Sequence, residues 1–328
     1  MDRRSFLKTG LKVAAVTAIF STVGWRIAFG QNKHALINRS FYAMGTAGTI
    51  IIDSEDKTLA QRALNEAVTK FTALENKLTK FSPNSDIGRL NKSPDRFIQV
   101  STDTHKVLTT GLDVSKQTGN RFDMGLGNFL IQPGLDEHIP RVGHHELTTA
   151  DLAKPLFMVQ GSLIRLTRPN TMLDLGGIAK GYAVDAALDL LRYEYGIKHA
   201  LVALGGDLSV VGGQPDGEPW HIRFDKKAPI ERQNNDILLS TGSVASSGGY
   251  LKRAQMQSSE VKHHIIDPLT FSSQEMYALS TVIGPCAAVC DALATAAYNT
   301  PPEAMSNLQA HFPQYKFINQ IKGETNGY

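Results

Sequence analysis

Apolar residues between positions 56 and 80 recur every three or four positions, which is the spacing of one face of an amphipathic helix. They are Leu59, Ala63, Ala67, Phe71, Leu74 and Leu78. Comparable patterns predict further helices over 103–117, 178–194, 286–299 and 302–311. The segment 286–299 is apolar enough to predict a helix buried in the core.

Shorter apolar runs between glycines predict β-strands. A first strand is expected at 48–53, and a hairpin at 156–166 with a two-residue Gly-Ser connection. Further strands are expected at 199–204, 207–213, 220–225, 236–241, 263–267 and 279–283. The polar run FSPNSDIGRLN at 81–91 and the glycine- and proline-rich run at 124–150 predict loops. Because there is no internal repeat or linker, the pattern favours one α+β domain.

The chain begins with a basic segment followed by an uncharged one. Val13 to Trp25 carries no charge and follows four basic side chains, those of Arg3, Arg4, Lys8 and Lys12. A membrane span needs about 20 apolar residues, so an uncleaved anchor helix is disfavoured. The pattern is that of the basic and apolar regions of an export signal.

The paired arginines at positions 3 and 4 are followed by Ser-Phe-Leu-Lys and resemble the twin-arginine motif of exported proteins. The small residues Ala28 and Gly30 offer a cleavage site. We therefore predict a twin-arginine signal peptide at 1–30 and a mature domain at 31–328. This places the working protein in the periplasm, with no stable membrane span after cleavage.

Composition and charge exclude several classes of protein. The 328 residues are 42% hydrophobic and 20% charged, as in ordinary globular proteins. The net charge of +3 is too small to indicate nucleic-acid binding. Residues 1–30 hold five of the 34 basic and one of the 31 acidic side chains, so the mature chain keeps 29 and 30, a net charge of −1. Two cysteines cannot form a disulfide scaffold or a four-thiolate metal site.

Several common catalytic motifs are missing. The run Gly125-Leu126-Gly127 lacks the third glycine of a dinucleotide-binding loop, and GGIAKG lacks the spacing of a Walker loop. Ser246 and Ser247 are not part of a G-x-S-x-G elbow.

The histidine and cysteine pairs do not have the spacing of strong metal or disulfide motifs. The histidines at 144–145 and 263–264 are adjacent rather than one helical turn apart, and the first pair is expected in a solvated loop. Cys286 and Cys290 are one turn apart on a predicted helix, a poor geometry for a disulfide. We expect both cysteines to be small buried residues.

Three features point to chemistry. The run LDLGGIAKG at 173–181 predicts a strand, a glycine turn and a helix start, where backbone N–H groups and Lys180 favour an anion. A tight turn with a solvated lysine is an equally weighted alternative. Asp291 and Thr295 lie one turn apart on an otherwise apolar helix, and their oxygens suit Mg²⁺. A helix cap or salt bridge is the alternative for Asp291. His264, at the end of a predicted strand, is a candidate general base.

Together these segments resemble the ApbE-like FAD:protein FMN transferases, also called flavin transferases. The matching pieces are MGT (44–46), FSPNSDIGRLN (81–91), FD (122–123), LDLGGIAKGYAVD (173–185), LGGDLSVVGG (204–213), ASSGGY (245–250), HHIIDP (263–268) and CDALATAAY (290–298). The resemblance covers about residues 38–300 and implies a single ApbE-like domain of mixed sheets packed with helices.

The resemblance implies that the protein binds FAD and Mg²⁺, splits the pyrophosphate, attaches FMN through a phosphoester bond to a Thr or Ser of a target protein, and releases AMP. It implies Mg²⁺ ligands on Asp291, Thr295 and the backbone carbonyl of Gly177. His264 is the candidate for the base that takes the acceptor hydroxyl proton. The flavin- and nucleotide-binding residues implied by the resemblance are Met44, Phe81, Asp123, Asp174, Lys180 and Ile266.

The sequence departs from the family pattern at 122–129, where FDMGLGNF lacks the usual Pro, Thr and Trp. The twin-arginine signal resembles that of the NosX subgroup, which is linked to nitrous oxide reductase maturation. We expect the target to be the FMN-binding domain of a NosR-like or NqrC/RnfG-like electron-transfer protein. Two alternatives stay open: a periplasmic FAD-binding or FAD-donor protein, and an FAD pyrophosphatase that uses water as acceptor.

Overall fold

The structure is a computed structural model that describes residues 18–19, 25–28, 36–130, 147–224, 236–249 and 263–322. The strands before the middle of the chain are β1 (Ala18–Ile19), β2 (Trp25–Ala28), β3 (Leu36–Ala43), β4 (Thr46–Asp53), β5 (Ile98–Gln99), β6 (Phe157–Gln160) and β7 (Leu163–Leu166). The later strands are β8 (Ala200–Leu204), β9 (Asp207–Val211), β10 (Trp220–Phe224), β11 (Asp236–Leu239), β12 (Gly242–Ser247), β13 (Tyr277–Gly284) and β14 (Lys316–Ile321). The helices are α1 (Lys57–Leu78), α2 (Asp86–Lys92), α3 (Thr102–Gln117), α4 (Thr149–Leu152), α5 (Ala179–Asp189), α6 (Ala287–Tyr298) and α7 (Met305–His311).

The core is organised around a seven-stranded sheet in the order β14-β13-β12-β9-β8-β4-β3, whose neighbouring strands are all antiparallel. Strand β8 is buried at every position because both faces of the sheet are covered. Ala200, Val202 and Leu204 face the main core, whereas Leu201 and Ala203 face a second core. Burial on both faces explains why this strand is a continuous apolar run rather than an alternating one.

Helices cover one face of this sheet and a second sheet covers the other. The apolar faces of α1, α5 and α6 join the main core. On the opposite face, the four-stranded sheet β1-β2-β10-β11 contributes Trp220, Ile222 and Ile237 to the second core. A small sheet, β5-β7-β6, adds Ile164 and Leu166 to the main core. The α+β class is confirmed.

Most of the periodicity-based predictions are confirmed. The helices predicted from residues 56, 103, 178 and 286 are α1, α3, α5 and α6, and α5 continues into a π-helical turn at Leu190–Glu194. The predicted hairpin is β6–β7, and Gly161 adopts a φ of 60° in its two-residue turn. Cys286 and Cys290 are free thiols; Cys290 is fully buried as predicted, whereas Cys286 is only partly buried.

The prediction of a loop over 81–91 is wrong in its second half, which forms helix α2. Ser85 caps this helix by accepting a hydrogen bond from Gly88 N at 2.8 Å. Asp86 is buried, and its carboxylate accepts bonds from Ser101 N (2.8 Å) and Thr104 Oγ1 (2.7 Å). The segment is rich in residues that favour turns because its helix is short and two of its polar residues have structural tasks: Ser85 caps the helix, and the buried Asp86 binds the start of α3.

The prediction of a strand at 263–267 is also wrong, so His264 does not end a strand. The backbone here is held by side chains: His263 Nδ1 accepts a bond from Ile265 N (3.2 Å), and Asp267 Oδ1 accepts one from Leu269 N (3.0 Å). Asp267 pairs with Ser272 in an isolated bridge. The side chains of His263 and Asp267 therefore replace a regular strand ladder.

Some predictions lie wholly or partly outside the described residues. Residues 131–146, which include the first histidine pair, belong to this group, as does most of the predicted signal peptide. Strands β1 and β2 are described parts of that signal segment, and β2 pairs with β10. Strand β14 was not predicted; it lies at an edge of the large sheet, beside β13. None of the helices in the described ranges has the length and hydropathy of a membrane span.

Candidate active site

The N-terminus of α5 is built by a glycine turn that follows an extended run. The side chain of Asn91 holds this run by bonding both the N–H (2.7 Å) and the carbonyl (3.0 Å) of Leu173. Asp174 N donates to Met124 O (2.8 Å), and Asp174 Oδ1 accepts a bond from Gly176 N (2.7 Å). These bonds fix the residues just before α5, so the first turn of the helix occupies a defined position.

Helix α6 brings a carboxylate against this first turn. Asp291 is 3% exposed, and its Oδ2 accepts bonds from Lys180 Nζ (3.0 Å) and Gly181 N (3.3 Å). The two helices approach closely because residue 181 is glycine: a Cβ there would overlap the carbonyl oxygen of Ala287. The predicted metal ligand and the predicted phosphate-binding lysine therefore lie in direct contact.

A second carboxylate, that of Asp207 at the start of β9, shares the same lysine. Lys180 Nζ lies 2.8 Å from Asp207 Oδ2, and the lysine side chain keeps 26% of its surface exposed. Burial alone would lower the pKa of Lys180, but the charges of Asp207 and Asp291 outweigh this effect and raise it. Lys180 is therefore a charged ammonium that faces two carboxylates.

Asp207 is not among the site residues predicted from the sequence. It is fully buried, and neither of its oxygens accepts a hydrogen bond from a backbone or hydroxyl donor within the described ranges. Burial, and then the charge of Asp291, raise the pKa of Asp207 well above its ordinary value. The signal that could have found it is a lone acid at the head of an apolar strand after two glycines, since a buried carboxylate requires a partner.

Oxygen donors other than carboxylates lie beside Asp291. Thr295 is one turn further along α6, and its Oγ1 lies 3.2 Å from Ser247 Oγ at the end of β12. Gly177 also packs here, because a Cβ on that residue would be 3.0 Å from Thr295 Oγ1. The structure thus brings together Gly177, Lys180, Asp291 and Thr295.

Met44 lies in a tight turn that approaches the same cluster. Met44 and Gly45 connect β3 to β4 with φ angles of 48° and 75°, the signature of a type I′ hairpin. The next residue, Thr46, packs on Gly205, and the Lys180 side chain packs on Gly205 as well. The β3–β4 turn is therefore separated from Lys180 by one glycine.

Phe81 and Asp174 are joined through Lys80, a residue that was not predicted. Lys80 Nζ lies 2.7 Å from Asp174 Oδ2 and 5.2 Å from the centroid of the Phe81 ring. The Lys80 side chain is only 7% exposed, whereas the Phe81 ring is half-exposed. An accessible aromatic ring thus lies beside the glycine turn at the start of α5.

Asp123 lies in a buried ion pair. Its Oδ2 is 2.7 Å from Arg168 Nη1, and its Oδ1 accepts a bond from Gly125 N at 2.6 Å. Neither side chain of this ion pair has appreciable surface exposure. In the structure Asp123 is thus paired with a buried cation, and its predicted flavin contact stays a prediction.

Replacing Arg168 by Ala is expected to lower the free energy of unfolding by about 3–5 kcal/mol, because it leaves the Asp123 carboxylate buried without a cation. The matched control is Arg223→Ala, which breaks an exposed ion pair with Asp236 (2.8 Å) and should cost less than about 1 kcal/mol. Urea denaturation of both variants checks the difference. Equal losses would contradict a structural role for the Asp123–Arg168 pair.

His264 and Ile266 lie in a segment that is attached to α6. Ile266 is buried, and its carbonyl accepts a bond from the side chain of Asn299 (3.1 Å), which follows α6. The neighbouring His263 ring packs edge-on against Tyr298, and its centroid lies 6.5 Å from that of the half-buried His264 ring. The segment is thereby connected to the helix of Asp291, and the base role of His264 stays a prediction.

Comparison with known proteins identifies relatives over most of the chain. The model of the ApbE family matches residues 44–318. A relative named FAD:protein FMN transferase in Haemophilus influenzae is 25% identical over 291 residues, which is 82% of each chain. One of the same name in Escherichia coli K12 is 25% identical over 278 residues, covering 79% of this chain and 77% of that protein.

Solved structures share the fold. An ApbE protein from Thermotoga maritima superposes with a TM-score of 0.73 at 23% identity, over 88% of this chain and 95% of its own. The flavin transferase ApbE from Vibrio cholerae gives a TM-score of 0.69 at 22% identity, over 89% of this chain and 95% of its own. The architecture described above is therefore that of the ApbE structures.

Proposed function

The chain belongs to the ApbE family, and from this premise we propose that it is a Mg²⁺-dependent FAD:protein FMN transferase. It attaches FMN through a phosphoester bond to a Thr or Ser hydroxyl of a target protein and releases AMP. The observation that carries this proposal is the convergence of Lys180, Asp291 and Thr295 at the first turn of α5. The relatives named FAD:protein FMN transferase support it.

The residues around Asp291 fit a hard divalent cation. Asp207 and Asp291 are two buried carboxyl groups that share a single ammonium, so their oxygens converge on one pocket. Asp291, Thr295 and the carbonyl of Gly177 would hold Mg²⁺, since these oxygen donors are the type that it prefers. When bound, Mg²⁺ would neutralise charge on the phosphates.

The chain's own residues have separate tasks in the transfer. The acceptor hydroxyl forms a bond to the phosphorus of the FMN half, the bond to the AMP oxygen breaks, and AMP leaves with the bonding electron pair. Lys180 stabilises the negative charge on the phosphate oxygens. His264 accepts the proton of the acceptor hydroxyl. Met44, Phe81 and Asp174, around the same turn, hold the flavin and the nucleotide.

The target in this proposal is an exported or membrane-bound electron-transfer protein of the NosR-like or NqrC/RnfG-like kind. The basis is the N-terminal Arg-Arg-Ser-Phe-Leu-Lys motif, which suits export by the twin-arginine pathway. The enzyme would then modify its target in the periplasm. Cell fractionation of a strain that expresses the full chain tests the location, and a cytoplasmic pool alone would contradict it.

The deciding experiment incubates the protein with FAD, MgCl₂ and an NqrC-like FMN-binding domain, then measures in-gel flavin fluorescence and AMP. Fluorescence on the target band with an equal amount of AMP is the expected result. Two controls should give no flavin fluorescence on the target band: a reaction treated with EDTA, and a reaction with a target whose acceptor Thr is changed to Ala. Free FMN and AMP without labelled target would favour a pyrophosphatase, and bound FAD without AMP would favour a flavin-storage protein.

A further inference from the structure

The helix that carries Asp291 and Thr295 is capped by a residue of another helix. Cys286, at the N-cap position of α6, makes no capping bond to its own helix. Instead the Asp185 carboxylate of α5 accepts bonds from Ala287 N and Ala288 N, both at 2.9 Å. The Cys286 thiol donates to the same carboxylate at 3.2 Å. Asp185 thus satisfies backbone N–H groups that a helix start leaves without partners.

Asp185 belongs to the second of two layers that join α5 to α6. In the first layer Lys180 and Gly181 contact Asp291. In the second layer, one helical turn further along α5, Asp185 contacts Ala287 and Ala288, which precede Asp291 by one turn of α6. Because both helices are rigid over one turn, the contacts of the second layer also fix the position of Asp291 relative to Lys180 and Gly181.

Strand β9 contributes to both layers with its two-residue period. Asp207 contacts Lys180 in the first layer, and Ser209, two residues later on the same face, donates to Asp185 at 3.3 Å in the second. Ser209 is itself held by Ser243 of β12 at 2.7 Å. Asp185 is therefore held against the central sheet while it holds the start of α6.

From this arrangement we propose that Asp185 is a positioning residue that sets the register of α6 against α5 and so places Asp291 for the cation. This inference rests on the proposed function, because it concerns the same site. It predicts that the loss of the Asp185 carboxylate weakens cation binding more than the loss of a helix cap elsewhere in the chain does. Mutation of a residue that orients metal ligands without binding the metal itself typically lowers metal affinity about 10–100-fold.

The test uses Mn²⁺ as the probe in place of Mg²⁺, titrated into the FAD-loaded protein and followed by electron paramagnetic resonance. Asp185→Asn keeps the side-chain volume but replaces one acceptor oxygen by a donor, and we expect its Mn²⁺ Kd to rise by about 10-fold or more. The matched control is Asp56→Asn, because Asp56 caps α1 through Thr58 N (2.8 Å) and Leu59 N (2.9 Å). The control should bind Mn²⁺ with wild-type affinity.

Equal Mn²⁺ affinity in Asp185→Asn and the wild type, whatever the change in melting temperature, would overturn the positioning role. If Asp185→Asn does not fold, Ser209→Ala decides: weaker Mn²⁺ binding supports the proposal, and unchanged binding overturns it. A wild-type protein that binds neither Mn²⁺ nor FAD would instead count against the proposed function. The two failures are therefore distinguishable.

Discussion

Replacing Asp291 by Asn is expected to lower FMN transfer by roughly 10³-fold, the upper end of what the loss of one charge-stabilising group costs an enzyme. The substitution keeps the volume of the side chain but removes its charge. The affected oxygen, Oδ2, accepts bonds from Lys180 and Gly181. Cation binding should therefore weaken and the Lys180 ammonium should lose its fixed position, whereas the buried helix α6 keeps its packing.

The matched control for this variant is Asp103→Asn, outside the cluster. Asp103 also holds a lysine, with Lys77 Nζ 2.8 Å away, and it accepts a bond from Tyr182 Oη at 2.8 Å. Its replacement should leave the rate of transfer near the wild-type value. The rate of AMP release and the labelling of the target domain measure both variants, with circular dichroism to confirm folding. A folded Asp291→Asn protein with the full rate would contradict the cation site at this position.

The fold could be predicted where apolar periodicity is strong. Helix α1 has buried residues on one face at three- and four-residue spacing, and α6 is buried nearly throughout. In both cases the apolar pattern alone predicts the helix. The errors fell where side chains rather than regular patterns satisfy the backbone. Helix α2 depends on the Ser85 cap, and the run after His263 depends on side-chain bonds. Such contacts join residues that no short-range periodicity connects.

The candidate site could be predicted only in part, for a similar reason. Separate motifs indicate Lys180, Asp291 and Thr295, the family resemblance adds Gly177, and the structure brings the four residues together. Asp207 was missed because its partner, Lys180, lies on another element. The same holds for Asp185, because three of the groups that donate to it lie about 100 residues later in the chain. Sequence patterns identify which residues carry chemistry, but the charge balance of a site depends on its long-range contacts.

Lys180 is the cation that pairs with both Asp207 and Asp291, and its removal should damage both stability and activity. In Lys180→Met the buried carboxylates of Asp207 and Asp291 lose the ammonium that lies 2.8 and 3.0 Å from them. Leaving buried charges without a partner costs about 3–5 kcal/mol of unfolding free energy. Transfer should fall by about 10²–10³-fold, because the phosphates lose a fixed positive charge.

A double variant separates these two effects. Adding Asp207→Asn to Lys180→Met removes one of the two buried carboxyl groups that have lost their cation, so the unfolding free energy should return toward the wild-type value. Transfer should stay low, because no cation has been restored beside the phosphates. Urea denaturation and target labelling give the two readouts on the same proteins. Recovery of transfer in the double variant would mean that Lys180 serves only to neutralise Asp207; continued inactivity of a stable protein assigns the ammonium to the phosphate.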